Sequence, residues 1–212
     1  MEYVRLNNGK KMPILGFGVY QIPSHETERA VSEEAIEIGY RHFDTAQLYR
    51  NERGVGEAIN KSGIARNDFF ITTKLSTSGY KETKKQINQA LTYLQTESID
   101  LMFIHWLIPD YMGTYRALEE AYCEGKVQAI GLSNFNQQQI KTVIQQADIK
   151  PVILQNEMQY CISVNHYASF AKRINYNLNR GLRLVKEWQI CSKIRHYKKL
   201  ERIIIKQLLK SF

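Results

Sequence analysis

Apolar positions along residues 15–155 follow two alternating spacings, and the alternation predicts a series of strand and helix pairs. Short apolar runs, typical of buried strands, recur at 15–20, 41–44, 69–75, 99–106, 127–133 and 151–155. Between these runs the apolar residues recur every three or four positions, which predicts amphipathic helices that cover a sheet. Six such steps predict a parallel sheet with helices on its outer face.

The same pattern predicts the local boundaries. Asn7-Asn8-Gly9 lies between two short β-prone runs and predicts a tight hairpin turn. Ser24 is predicted to cap a helix over about 26–38. Further helices are predicted near 54–60, 114–123 and 140–147, and Ile87, Ala90, Leu91 and Leu94 mark one face of another.

The predicted fold class is α/β, an incomplete (β/α)8 barrel with about six of its eight units and an N-terminal β-hairpin. A closed barrel of this kind typically takes about 250 residues, and this chain has 212. After Tyr160 the periodicity fades, although Ile203–Ile205 with Leu208-Leu209 fits a basic amphipathic helix. The predicted division is a partial barrel over 1–160 and a divergent basic tail over 161–212.

Charge and composition narrow the class of protein. The net charge is +8, yet Ser163–Phe212 holds 12 of the 29 Lys and Arg residues and only 2 of the 21 Asp and Glu residues. The basicity therefore belongs to the tail.

No apolar run reaches the roughly 18 to 20 residues of a membrane span, and the first five residues lack the apolar core of a signal peptide. We expect a cytoplasmic protein without membrane contact. Three scattered cysteines suggest neither a disulfide nor a metal site.

Ionisable residues end three successive predicted strands: Asp44, Lys74 and His105, with Tyr49 five residues after Asp44. In a parallel barrel such strand ends meet on one face. A tyrosine with an ordinary pKa of about 10 is a poor acid or base, and a lysine held by an aspartate eases its ionisation. This set fits proton transfer to a carbonyl, with a nicotinamide cofactor as the hydride source and His105 orienting the substrate oxygen. Each residue taken alone also fits a structural role, as a solvated strand end, a loop anchor or a buried histidine.

Five ordered motifs carry a resemblance to a known family. They are Leu15-Gly16-Phe17-Gly18, Phe43-Asp44-Thr45-Ala46 with Tyr49, Thr73-Lys74-Leu75, Ile104-His105-Trp106 and Ile130-Gly131-Leu132-Ser133-Asn134-Phe135. Over about 1–160 the chain resembles the aldo-keto reductases. The resemblance implies a TIM barrel that uses NADPH to reduce a small carbonyl substrate, an aldehyde or ketone, to the alcohol. The implied residues are catalytic Asp44, Tyr49, Lys74 and His105, carboxamide-binding Ser133, Asn134 and Gln155, and pocket-lining Tyr20 and Trp106.

The tail departs from the family pattern. In this reading frame it offers neither the seventh-strand aromatic that stacks on the nicotinamide nor the basic segment that binds the 2′-phosphate. Its Lys, Asn, Ile and Arg content predicts an out-of-frame reading of a longer reductase gene, and a genuine divergent extension is the alternative. The chain as given is then expected to be C-terminally truncated, poorly active and marginally stable, because an open barrel leaves backbone groups unpaired at its edges.

A function of another class fits part of the chain. Aromatic residues between basic ones, as in the tail, are typical of surfaces that bind single-stranded nucleic acid. The chain would then be a non-enzymatic binding protein whose tail contacts nucleic acid or an acidic surface. No nucleic-acid motif organises the aromatics, so the reductase interpretation is preferred. The aromatics concerned are Tyr167, Phe170, Tyr176, Trp188 and Tyr197.

Overall fold

The computed structural model describes residues 1–156 and 183–186. An antiparallel hairpin opens the chain, with β1 at Tyr3–Arg5 and β2 at Lys11–Pro13. Its turn contains Gly9 at a φ of 86°, a left-handed conformation that favours glycine. The predicted hairpin and its turn are confirmed.

A curled parallel sheet forms the body of the fold, and its strands lie side by side in chain order. They are β3 (Phe17–Gly18), β4 (His42–Asp44), β5 (Phe70–Leu75), β6 (Leu101–Ile104), β7 (Ile130–Ser133), β8 (Ile153–Asn156) and β9 (Arg183–Lys186). Every neighbouring pair is parallel. The predicted α/β fold class is confirmed, as are the six predicted parallel strands and their side-by-side arrangement in chain order. Periodicity did not predict β9, because four residues with two basic ones carry no apolar run.

Helices connect the strands from β3 to β8. They are α1 (Ser24–Val31) continued by a π-helical turn (Ser32–Ile36), α2 (Glu52–Lys61), α3 (Tyr80–Leu94), α4 (Tyr111–Cys123) and α5 (Gln137–Gln146). The prediction that Ser24 caps α1 is wrong, since Pro23 holds the cap position and no side chain caps it. The helix predicted around Leu208 and nearly all of the predicted tail lie outside the described residues.

Alternate residues of β5, β6 and β8 face two separate apolar clusters. Ile71 and Leu75 of β5 pack outward against the helices, whereas Phe70 belongs to an inner cluster with Val4 and Met12 of the hairpin. The hairpin thus covers the N-terminal end of the sheet. Polar residues such as Asp44, Lys74 and Ser133 lie instead at the C-terminal ends of the strands. No helix within residues 1–156 is long and apolar enough to cross a membrane.

Helix α2 packs closely on the end of α3 through Gly56. A Cβ atom at this position would lie 2.6 Å from the backbone carbonyl group of Leu94. We expect Gly56→Ala to lower the free energy of unfolding by about 1–3 kcal/mol, because backbone has to move. Urea denaturation measures the loss. The matched control is Glu57→Ala at the next position of α2, whose side chain is partly exposed, and an equal effect of the two substitutions would contradict the packing argument.

Candidate active site

The C-terminal ends of three neighbouring strands bring four of the predicted residues together. Asp44 ends β4, Lys74 is the second-last residue of β5, and His105 follows β6 directly. Tyr49 ends a short 3-10 turn at Gln47–Tyr49, which lies between β4 and α2. Strand register accounts for the convergence, since Asp44 is paired with Thr72, two residues before Lys74.

Lys74 is the centre of the group. Its side chain is fully buried, and Nζ donates to the Asp44 carboxylate in an ion pair. The same nitrogen lies 3.2 Å from the Thr45 carbonyl oxygen and 3.4 Å from the Tyr49 hydroxyl oxygen. It also lies 5.1 Å from the centre of the Tyr49 ring. A buried positive charge beside a phenol favours the phenolate form.

His105 completes the group beside Tyr49. Its ring centre lies 5.8 Å from that of Tyr49, edge to face, and 5.4 Å from that of Trp106, on which it stacks. Burial, helped by the positive charge of Lys74, lowers the pKa of His105 from 6.5 to about 4. The imidazole is therefore neutral near neutral pH. Its buried Nδ1 has no hydrogen-bond partner among the described residues.

The lowered pKa of His105 predicts a pH-dependent stability. As the pH falls, the unfolded chain binds a proton at His105 before the folded chain does. The contribution of the neutral His105 imidazole to the free energy of unfolding is therefore complete above about pH 6.5 and is lost as the pH falls toward about 4. His105→Gln cannot be protonated and should lack this decline. Urea denaturation of wild type and His105→Gln over this pH range measures the difference in unfolding free energy. Burial also lowers the pKa of His42, but this contribution is the same in both proteins and cancels in the difference. Parallel stability profiles would contradict the assignment.

The three residues matched to the carboxamide site lie at the same end of the sheet. Ser133 ends β7 and is buried, and the Asn134 amide donates to the His105 carbonyl oxygen at 3.2 Å and to the Ser133 hydroxyl at 3.1 Å. Gln155 of β8 donates to Asp44 Oδ2 at 3.3 Å. Its buried Oε1 has no hydrogen-bond partner in the described part of the chain. The Gln155 side chain, next to Asp44, thus keeps one buried acceptor without a bond to any described residue.

Two exposed aromatics flank the group. Tyr20 follows β3 and its ring centre lies 4.9 Å from that of Tyr49. Trp106 lies on the other side, against His105. Both side chains are nearly half exposed. They form an apolar rim around the Tyr49 hydroxyl and the imidazole.

Sequence reasoning missed two polar residues that hold this arrangement. The Thr45 carbonyl oxygen binds Lys74, and a backbone group of this kind carries no signal in the sequence. The Asn51 side chain is almost completely buried and binds Thr45 Oγ1 at 2.7 Å. Its place directly before a helix is the signal of an ordinary N-cap, although no capping bond is formed.

Comparison with known proteins places these observations in a family. The model of the aldo/keto reductase family matches residues 14–185. The chain therefore belongs to the aldo/keto reductase family, and the resemblance seen in the motifs is confirmed.

Individual relatives are similar over most of this chain. It is 38% identical over 174 residues to the glyoxal reductase of Bacillus subtilis, covering 81% of this chain and 63% of that enzyme. The methylglyoxal reductase DkgA of Escherichia coli is 36% identical over 158 residues, covering 73% and 57%. This chain thus spans about 60% of the length of these two curated relatives.

Solved structures agree with the assignment of the fold. The Brucella melitensis aldo/keto reductase has a TM-score of 0.77 at 42% identity, covering 81% of this chain and 67% of that one. An aldo-keto reductase from Bombyx mori in complex with NADP has a TM-score of 0.78 at 29% identity, covering 88% and 66%. The described sheet and helices thus correspond to part of an aldo-keto reductase barrel.

Proposed function

We propose that this chain carries the catalytic site of an NADPH-dependent reductase that converts aldehydes or ketones to alcohols. The observation that carries the proposal is the buried Lys74 ammonium, paired with Asp44 and next to the Tyr49 hydroxyl. A site that donates a proton needs a group whose ionised form is stabilised by a fixed neighbouring charge. The relatives named for glyoxal and methylglyoxal support a small carbonyl substrate.

The residues at the strand ends fit the nicotinamide carboxamide. Gln155 Oε1 is a buried acceptor without a partner in the described part of the chain, and an amide N–H is the donor that it lacks. Ser133 and Asn134 lie at the same end and add hydroxyl and amide groups. Bound here, the cofactor supplies the hydride. Gln155 also donates to Asp44, so one hydrogen bond links the residue proposed to contact the cofactor with the Lys74–Asp44 ion pair.

Proton transfer is assigned to Tyr49. Its hydroxyl donates the proton to the carbonyl oxygen of the substrate as the alkoxide develops, and the Lys74 ammonium stabilises the phenolate that remains. Asp44 holds Lys74 in place by the ion pair. The neutral His105 orients the substrate oxygen through a ring nitrogen, and Tyr20 and Trp106 exclude water from the reacting group.

Binding and turnover by the 212-residue chain test the proposal. We expect NADPH to bind weakly, because the barrel is incomplete, and a small aldehyde such as methylglyoxal to accelerate the slow oxidation of NADPH, followed by its absorbance and fluorescence. Gln155→Leu should weaken NADPH binding about tenfold, because it removes the buried acceptor at similar volume. The matched control is Gln89→Leu on the exposed face of α3. Equal affinity in wild type and Gln155→Leu would contradict the carboxamide contact.

A further inference from the structure

We propose that Asn51 is a positioning residue that holds the turn carrying Tyr20 against the loop carrying Tyr49. The Asn51 side chain is only 1% exposed and uses all of its polar atoms in contacts with these two segments. Its Nδ2 donates to the Val19 carbonyl oxygen at 2.9 Å and to the Ile22 carbonyl oxygen at 3.2 Å. Its Oδ1 accepts from Thr45 Oγ1 at 2.7 Å. One side chain therefore joins two loops that are separated along the chain.

The turn that Asn51 binds is strained. The Ile22 amide donates to the Val19 carbonyl oxygen at 3.1 Å, which closes a four-residue turn. Gln21, its third residue, has a φ of 64°. This sign of φ is required at that position of a type II turn, where glycine is preferred because an L side chain is strained there. The two bonds from Asn51 Nδ2 reach the first and the last residue of the turn, so they stabilise the strained conformation.

The three hydrogen bonds of Asn51 to Val19, Ile22 and Thr45 form a clamp that affects the candidate active site. Tyr20 is the second residue of the turn, and its ring lies 4.9 Å from the Tyr49 ring at an angle of 53°. On the other side, the Thr45 carbonyl oxygen accepts a hydrogen bond from the Lys74 ammonium. Asn51 therefore sets the distance between Tyr20 and Tyr49, and with it the position of Tyr20 in the apolar rim. The use of this position for substrate binding rests on the proposed function.

Helix capping does not account for Asn51. An asparagine that caps a helix accepts a hydrogen bond from a backbone amide in the first turn of that helix. No side-chain capping bond is present at the start of α2, and Thr45 occupies the Asn51 oxygen instead. The polar capacity of Asn51 is thus directed to the loops of the site.

Fluorine NMR of the full 212-residue chain labelled with 3-fluorotyrosine tests the clamp. Tyr20→Phe and Tyr49→Phe assign the two signals by their disappearance. In Asn51→Ala we expect both signals to shift or broaden, whereas the signal of Tyr3 in the distant hairpin stays in place. Hydrogen exchange in a peptide that spans the turn should become about tenfold faster, because two hydrogen bonds are lost. Asn60→Ala, near the other end of α2, is the matched control and should change neither quantity.

A second substitution separates positioning from a general role in folding. Gln21→Gly relieves the strain of the positive φ, so in the Asn51→Ala background it should restore the Tyr20 signal and slow the exchange of the turn. An anchor needed only for α2 would not respond to a change in the turn. An unmoved Tyr20 signal in Asn51→Ala, or a double variant as perturbed as the single one, overturns the proposal.

The test remains decisive when Asn51→Ala does not fold. Thr45→Val then serves, because it removes the bond on the Tyr49 side at similar volume and should shift both tyrosine signals; unmoved signals overturn the clamp. The NMR measurement needs neither cofactor nor substrate. Failure of the clamp is therefore distinguishable from failure of the proposed reductase activity, which leaves the signals unaffected.

Discussion

Replacing Tyr49 by phenylalanine should lower the rate of carbonyl reduction by about 10²- to 10⁴-fold, the range that a positioned acid or base contributes. The substitution removes the proposed proton donor and little volume. The Lys74–Asp44 ion pair does not involve the phenol and should persist, so the fold is expected to be unchanged. Single-turnover oxidation of NADPH by an aldehyde, with the protein in excess, measures the rate.

Two controls define the Tyr49 result. Tyr3→Phe removes an exposed hydroxyl in the hairpin and should leave the rate as in wild type. Thermal unfolding and NADPH affinity of Tyr49→Phe should match the wild-type values. Retained turnover in Tyr49→Phe would show that another group supplies the proton.

Replacing Asp44 by alanine should have the largest effect on stability. It leaves the Lys74 ammonium, whose side chain is 0% exposed, without its carboxylate. Breaking a buried pair from one side typically costs about 3–5 kcal/mol, and the 20% exposure of the Asp44 side chain places the expected loss near the lower end. Urea denaturation measures this loss of unfolding free energy.

The reverse substitution and the double variant provide the comparison. Lys74→Met leaves a carboxylate that water can reach, so its loss of stability should be smaller than that of Asp44→Ala. The double variant contains neither charge and should recover most of the stability lost in Asp44→Ala. If Asp44→Ala is unfolded in water, recovery of the fold by the double variant gives the same answer. A double variant less stable than Asp44→Ala would contradict a destabilising unpaired Lys74.

The sheet and the four proposed catalytic residues could be predicted because their signals are local. The spacing of apolar residues depends only on strand and helix geometry, so β4, β5 and β6 were found with ends close to those observed. Asp44, Lys74 and His105 stood at the ends of these strands, and parallel order was enough to place them on one face. Helix boundaries were less well predicted, as Ser24 shows, since capping depends on the side-chain contacts that are actually formed.

The sequence by itself determined the alternation of strands and helices, the family and the residues at the strand ends, because each rests on neighbours along the chain. Only the tertiary structure decided the bond between Gln155 and Asp44, the pairing of β9 with β8 and the clamp of Asn51 on the turn of Tyr20. These contacts join residues that are 111 positions apart in the first case and 32 in the last. Their formation depends on strand register and on the path of the loops, which no local spacing encodes.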